Sequence, residues 1–335
     1  KYGSRNNTPP LAKGVGLFDT VREINCGRMA HFLVEQFEKT GPIYRLPIPF
    51  PMVVIVANTA DARAIYKDPS HLKPSTIYTN IDELTHGPNI VSIAGKQGDS
   101  WHHRRKSINR AFAPKIVRRM NEVALEKAEI WISQTLVKDP DKSFNVAQEM
   151  ILLTIMVICK AAFDYDTTQS EIKNMIHALE KGMEEFSYKT MLNPLRKFST
   201  FLLADRREAY EEVAKIKRFA IKIIDHYREN PSPTPDTVID VIMKNPNYKD
   251  DSERIPDIIV ILFAGHDTTG YTMAFALLEL AKHQDEQKKL CENLSRESSD
   301  GSYLEAVLNE VMRMHPSTPV TGVKQLSCDF VSSKG

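Results

Sequence analysis

Five residues in the middle of an apolar run carry the most legible chemistry of this chain. Over 258–282 it reads IIVILFAGHDTTGYTMAFALLELAK, a long helical pattern interrupted by Gly265, His266, Asp267, Thr268 and Thr269. Good helix formers normally fill a helix buried on most sides, so a glycine, an acid and two β-branched hydroxyl residues at its centre depart from local rules where function can require it. Gly265 lets another group approach the backbone, as a ligand lying against the helix requires. Thr268 can open the local hydrogen-bond ladder and hold a water, and Asp267 can pass protons inward. A helix kink with a satisfied hydroxyl fits the same residues. His266 is a tempting metal ligand by type.

Three more groupings stand out. Trp101 and Arg105 lie one turn apart at the start of a predicted helix, so an indole N–H and a guanidinium share a face. They suit an anionic group, or a half-buried Trp packed on an Arg stem. Glu310 and Arg313 can pair at i, i+3 before His315-Pro316 stops their helix. By itself that pair is weak, since roughly one Glu-x-x-Arg arises by chance in a chain of this size. Arg104, Arg105, Lys106, Arg110, Lys115, Arg118 and Arg119 form the one locally basic stretch, either a docking surface or a solvated helix face.

The elements that must position these groups are mainly helical. The 335 residues, 42% apolar and 26% charged, are ordinary for a globular protein, and a net charge of +1 offers no field for nucleic acid. Four scattered cysteines argue against a disulfide scaffold and structural zinc. The most apolar windows, 150–159 and 258–265, fall short of the roughly 20 residues of a membrane span. A proline- and glycine-rich lead-in over 1–16 precedes a helix over 19–40. Next come a hairpin over 43–56, a short helix to Lys67 and a long loop over 77–98. Helices are expected over 101–110, 115–136, 145–164, 169–188, 206–228, 237–244, 255–282, 284–295 and 302–314, within a helical body spanning 100–316. A second small β element is expected near 324–331. The fold class is therefore mainly α with a small β element, in a single domain over 1–335.

The order Trp101-x-x-x-Arg105, then Ala264-Gly265-His266-Asp267-Thr268-Thr269, then Glu310-x-x-Arg313, resembles the cytochrome P-450 family of haem-thiolate monooxygenases. The resemblance runs from about Pro9 to the last residue. It implies haem b, with Trp101 and Arg105 on a propionate and Ala264, Gly265 and Thr268 against the ring. Asp267 and Thr268 would deliver protons for splitting dioxygen, and Glu310 with Arg313 would form a structural lock. His266 falls at a variable position facing away from the haem. Thr318, Pro319 and Val320 are expected at the pocket for a small apolar, weakly lipid-like substrate. An electron-donor protein, reductase or ferredoxin, would dock near Arg104–Arg119. Nucleic acid is not an expected partner. The chain starts at Lys1 without an initiator Met. Location at a membrane, in the endoplasmic reticulum or plastid, is expected if an anchor or transit segment once preceded Lys1, and in the cytoplasm otherwise.

The resemblance breaks at the iron ligand. The family's axial cysteine sits in a glycine-rich loop well after Glu-x-x-Arg, and Cys328 comes too early and lacks the glycines. No residue of this chain is therefore assigned to the metal, and the axial Cys is expected beyond Gly335, the fold being incomplete at the C-terminus. A catalytically silent subunit of the same fold is the alternative. The short span from Asp285 to Tyr303 also suggests residues missing near 295–302.

Overall fold

The computed structural model describes residues 8–26, 28–48, 52–93, 99–138, 143–190, 193–296, 300–318 and 322–333. Contacts gather the chain into two compact units. One comprises Lys1–Tyr78, Met191–Pro194 and Pro319–Gly335, and the other Thr79–Thr190 and Leu195–Thr318.

In the first unit the helix expected over 19–40 is two helices, α1 (Leu17–Asn25) and α2 (Met29–Thr40). The sequence between them contains Gly27, a poor helix former. Gly41, at φ +110°, ends α2 where the Gly-Pro signal places the stop. Strands β1 (Ile43–Arg45) and β2 (Val54–Val56) pair antiparallel with Ile43 opposite Val56, as the expected hairpin requires; its connection at 49–51 lies outside the described residues. Tyr44 anchors β1 on α2. It is fully buried beside Phe32 and Leu46, and its hydroxyl donates to the Leu33 carbonyl at 2.9 Å. Asn58 caps α3 (Thr59–Lys67). The C-terminal segment returns to α3, where the Ser332 hydroxyl and Ser333 N–H donate to Asp61 at 2.7 and 2.8 Å. In place of a second β element near 324–331, the described residues show one bridge, between Leu72 and Gln325.

The loop expected over 77–98 is also corrected, because its first part is helix α4 (Ser75–Thr85). Tyr78, Ile81 and Leu84 recur every three residues and make one face, and Leu84 is buried in the core. Glycine at 182 suits that packing, since a Cβ there would lie 2.5 Å from Leu84 Cδ1 and force that side chain to shift.

The second unit continues with α5 (Asp99–Arg110), α6 (Pro114–Trp131), α7 (Val146–Phe163), α8 (Gln169–Gly182) and α9 (Ala204–Glu229). It closes with α10 (Val238–Lys244), α11 (Asp251–Lys282), α12 (Gln284–Leu294) and α13 (Ser302–Met314). Residues Ile132–Val137 and Met183–Lys189 extend α6 and α8 with π-helical winding. Caps set several starts: the Asn145 side chain on α7, a Thr168/Glu171 capping box on α8 and Asp250 on α11. Helix α11 begins four residues before the expected start at Ile255. Pro256 is tolerated near that end because little of the ladder precedes it.

The core lies where α11 packs along α7, burying Ile155, Cys159, Ile258 and Ile259. By length and composition alone both helices are long and apolar enough to cross a membrane, so the apolar stretches are longer than the windows read from sequence. Between α8 and α9, Arg206 is 1% exposed and spends all five N–H donors: Nε on Thr200, one terminal nitrogen on Glu185 and Thr190, the other on Glu83 and Tyr210.

Candidate active site

Helix α11 runs unbroken through 265–269. The Thr268 hydroxyl donates to the Ala264 carbonyl at 3.2 Å and Thr272 to the Thr268 carbonyl at 2.8 Å, so each hydroxyl is satisfied within the helix and the ladder stays closed. Ala264, Thr268 and Thr269 are exposed. Gly265 is not. A Cβ there would lie 2.7 Å from two side-chain carbons of Ile158 on α7, and one at Gly270 would lie 3.0 to 3.2 Å from Ile151. Close helix packing therefore explains the glycine at 265, where the sequence reading expects a ligand to approach. Gly270, not singled out from sequence, does the same one and a half turns later.

His266 is buried and donates through Nδ1 to the Leu262 carbonyl at 2.9 Å. Burial pulls its pKa below the usual imidazole value. With Phe263, Asp267 and Tyr271 it faces a cleft of about 320 Å³ closed by Ile151 of α7 and by Ile176, Leu179, Glu180, Met183 and Glu184. Ala264 and Thr268 do not line this cleft. Asp267 is half-buried in it, and desolvation raises its carboxyl pKa against the opposing charge of His266. A carboxyl so placed can keep a proton nearer neutrality than an exposed one.

On α5 the two adjacent arginines divide their roles. Arg104 is the inward one, 5% exposed, donating to Glu253 Oε2 at 2.7 Å and lying 3.7 Å from Asp257 Oδ2, with its guanidinium 4.6 Å from the centre of the Tyr248 ring. Arg105, expected on a propionate, is exposed and makes no ion pair among the described residues. Successive helix side chains diverge by about 100°, so only one of the pair can reach the acids of α11. The Arg105 guanidinium sits 5.7 Å from the centre of the half-buried Trp101 ring, and Trp101 Nε1 donates to the Ile90 carbonyl at 2.9 Å. The single indole donor is thus engaged, while the Arg105 fork is available to an anion.

Asp257, which the sequence reading passed over, ties these elements together. It is fully buried and accepts from the Ile90 N–H at 2.7 Å and the Tyr248 hydroxyl at 2.5 Å. Burial pushes its pKa up to about 6 despite those donors and Arg104. The available signal was one acid inside the run Ile255-Pro256-Asp257-Ile258-Ile259.

The remaining expected positions are scattered. Glu310 and Arg313 form a two-pronged pair on α13, both contacts 2.7 Å, and both side chains are exposed. Thr318 is exposed, and Pro319 and Val320 lie outside the described residues. Cys159 is buried with its thiol pKa pushed up by desolvation, and Cys26, Cys291 and Cys328 are exposed. Among the described residues no group of three or more His, Cys, Asp or Glu could hold a metal ion. A haem fits the donors only in part: a free guanidinium and an exposed small-residue strip on α11 suit its propionate and ring, and no residue here is placed as the iron ligand.

The Cytochrome P450 family profile matches residues 9–333. The chain is 25% identical to "Probable cytochrome P450 4s3" of Drosophila melanogaster over 93% of its own length and 68% of that protein's. It is 24% identical to "Cytochrome P450 71A26" of Arabidopsis thaliana over 96% and 68%, and 25% identical to "Cytochrome P450 monooxygenase 205" of Postia placenta over 78% and 56%. It therefore spans between about half and two thirds of the length of these relatives. With a family profile matched almost from end to end and its motifs carried on α5, α11 and α13, this chain belongs to the cytochrome P450 family.

Proposed function

We propose that this protein is a haem-dependent monooxygenase that inserts one atom of dioxygen into an apolar, lipid-like substrate. The observation that carries the reading is the exposed pair Ala264 and Thr268, one turn apart at the middle of a core helix, in the same unit as the unpaired guanidinium of Arg105. The bound haem would supply dioxygen binding and activation. Arg105 would hold a propionate through a forked, charge-assisted pair, with Trp101 as its platform. Ala264 would leave room for the ring. Thr268 would turn its hydroxyl from the Ala264 carbonyl to hold a water, and Asp267 would pass protons from the cleft it shares with His266. We place the axial cysteine after Gly335, and substrate contacts at Thr318, Pro319 and Val320.

The electron donor would dock on α5 and the start of α6. Lys106, Arg110, Lys115 and Arg118 are exposed and free of ion pairs among the described residues, whereas Arg104 is spent inward and Arg119 is 4.0 Å from Asp164. Such a cationic face suits an acidic redox protein or reductase domain. Attachment to a membrane surface would come through a segment preceding Lys1.

Purification of the full-length protein followed by a pyridine haemochrome assay and reduced carbon monoxide spectrum tests the reading. Stoichiometric haem with the thiolate-type band is expected. A folded protein that takes up no haem when it is supplied would overturn the proposal.

A further inference from the structure

The Asp257 carboxylate is out of reach of solvent in a helix whose neighbouring side chains, Ile255, Ile258 and Ile259, are all core residues. An apolar side chain would fill such a position without the desolvation penalty of an acid. What an apolar residue could not do is accept the Ile90 N–H. That peptide sits in a turn already shaped from within: Asn89 Oδ1 accepts from the Val91 and Ser92 N–H groups at 2.9 and 3.1 Å, and Asn89 Nδ2 donates to Thr85 at 2.9 Å. Only the Ile90 N–H is directed at α11, and it meets Asp257 Oδ1 at 2.7 Å. The other end of the same residue, its carbonyl, accepts the Trp101 indole N–H at 2.9 Å. One turn along α5 from Trp101, the Arg105 guanidinium lies against the indole.

We propose that Asp257 is a positioning residue for the haem anchor, acting through the Ile90 peptide and the Trp101 indole to set where the Arg105 guanidinium stands. The inference rests on the reading that Arg105 holds a haem propionate. The charged groups facing Asp257 are Arg104, at 3.7 Å, and Glu253, which pairs with Arg104. Tyr248 holds the second carboxylate oxygen at 2.5 Å, so the carboxylate cannot turn away from Ile90 without losing that bond. In consequence the helix that carries Ala264 and Thr268 also sets the anchor on α5.

The test measures haem loss from the full-length, haem-bound protein to an excess of a scavenging apoglobin, together with Trp101 emission, taken as the difference between each variant and its Trp101→Phe counterpart. Arg105→Ala should speed haem loss about tenfold, the worth of one charge-assisted contact. Asp257→Ser should speed it by a similar factor and shift Trp101 emission to the red, because the indole is no longer held. Asp257→Asn keeps an oxygen for the Ile90 N–H and should stay within about twofold of the parent. The double variant Arg105→Ala, Asp257→Ser should lose haem no faster than Arg105→Ala alone.

Fast haem loss in Arg105→Ala with parental behaviour in Asp257→Ser overturns the positioning role and leaves the haem reading intact. Additive effects in the double variant do the same. Parental haem retention in Arg105→Ala overturns the anchoring reading and this inference with it. Should Asp257→Ser fail to fold, amide exchange of Ile90 in the haem-bound parent decides: protection of at least about a hundredfold is expected for an amide held in the fold, and exchange at the rate of an open loop overturns the inference.

Discussion

Gly265 of α11 stands against Ile158 of α7 so closely that a Cβ at 265 would sit 2.7 Å from two carbons of that side chain. The contact belongs to the helix pair that packs together most extensively. Gly265→Ala should therefore destabilise the protein by about 1–3 kcal/mol through overpacking, outweighing the roughly 1 kcal/mol gained in helix propensity. Denaturant unfolding of Gly265→Ala, Ile158→Ala and the double variant checks this, since the smaller residue at 158 should make room for the added methyl. A stabilised Gly265→Ala in the parent background would show that Ile158 moves aside at no cost.

At Thr268 stability and function should separate. Thr268 is exposed and, among the described residues, its hydroxyl is bonded only to the Ala264 carbonyl, so Thr268→Ala should change stability by no more than about 0.5 kcal/mol. In the full-length enzyme the same change should divert electrons into peroxide. Product formed and peroxide released per electron consumed are the quantities to compare. Undiminished product yield would remove Thr268 from proton delivery.

Asp257 gives a pH signature whose sign follows from its raised pKa. In the unfolded chain it titrates near 3.8 and in the fold at about 6, so folding favours the protonated form. Its contribution to stability is whole below pH 3.8 and is lost as pH rises through about 6. At roughly 1.4 kcal/mol per pKa unit the loss approaches 3 kcal/mol. Asp257→Asn lacks this titration, so its stability relative to the parent should rise between pH 4 and pH 7. A parallel pair of stability curves across that window would mean that Asp257 titrates normally.

The basic face makes a prediction about rates. Replacing Lys106, Arg110, Lys115 and Arg118 by Glu should slow association with an acidic electron donor at low salt by about tenfold or more, with little change in folding. Arg104→Glu should instead weaken the fold, because it puts a carboxylate beside the carboxylates of Glu253 and Asp257. Stopped-flow reduction at two ionic strengths distinguishes steering from misfolding. Equal rates for the fourfold variant and the parent would place docking elsewhere.

Much of the architecture was legible because it is written in local periodicity. The helices from α5 to α13 follow apolar spacing and end at prolines, glycines and capping residues, signals that need no tertiary partner. Helix α4 is weakly signalled in sequence because its apolar residues are few. Its face is fixed by tertiary packing, with Leu84 buried in the core close to Gly182. The second β element failed for the opposite reason: the apolar pattern near 324–331 is present, yet a strand needs a neighbour along its length and the chain supplies one bridging residue.

For the site, the sequence by itself determined which residue types stand together on one helix: an acid, two hydroxyls and a histidine within α11, and an indole and a guanidinium one turn apart on α5. Tertiary structure decided which way each one faces. Gly265 looked like room for a ligand and serves Ile158. Arg104 and Arg105 are indistinguishable by type, and the acids of α11 select Arg104 for the interior. Asp257 was visible as a lone acid in an apolar run, but its part appears only when Ile90, 167 residues away in the chain, brings an N–H to its carboxylate. The physical reason is common to all three. Spacing along a helix records angle about its axis, and only the packed neighbour determines what waits at that angle.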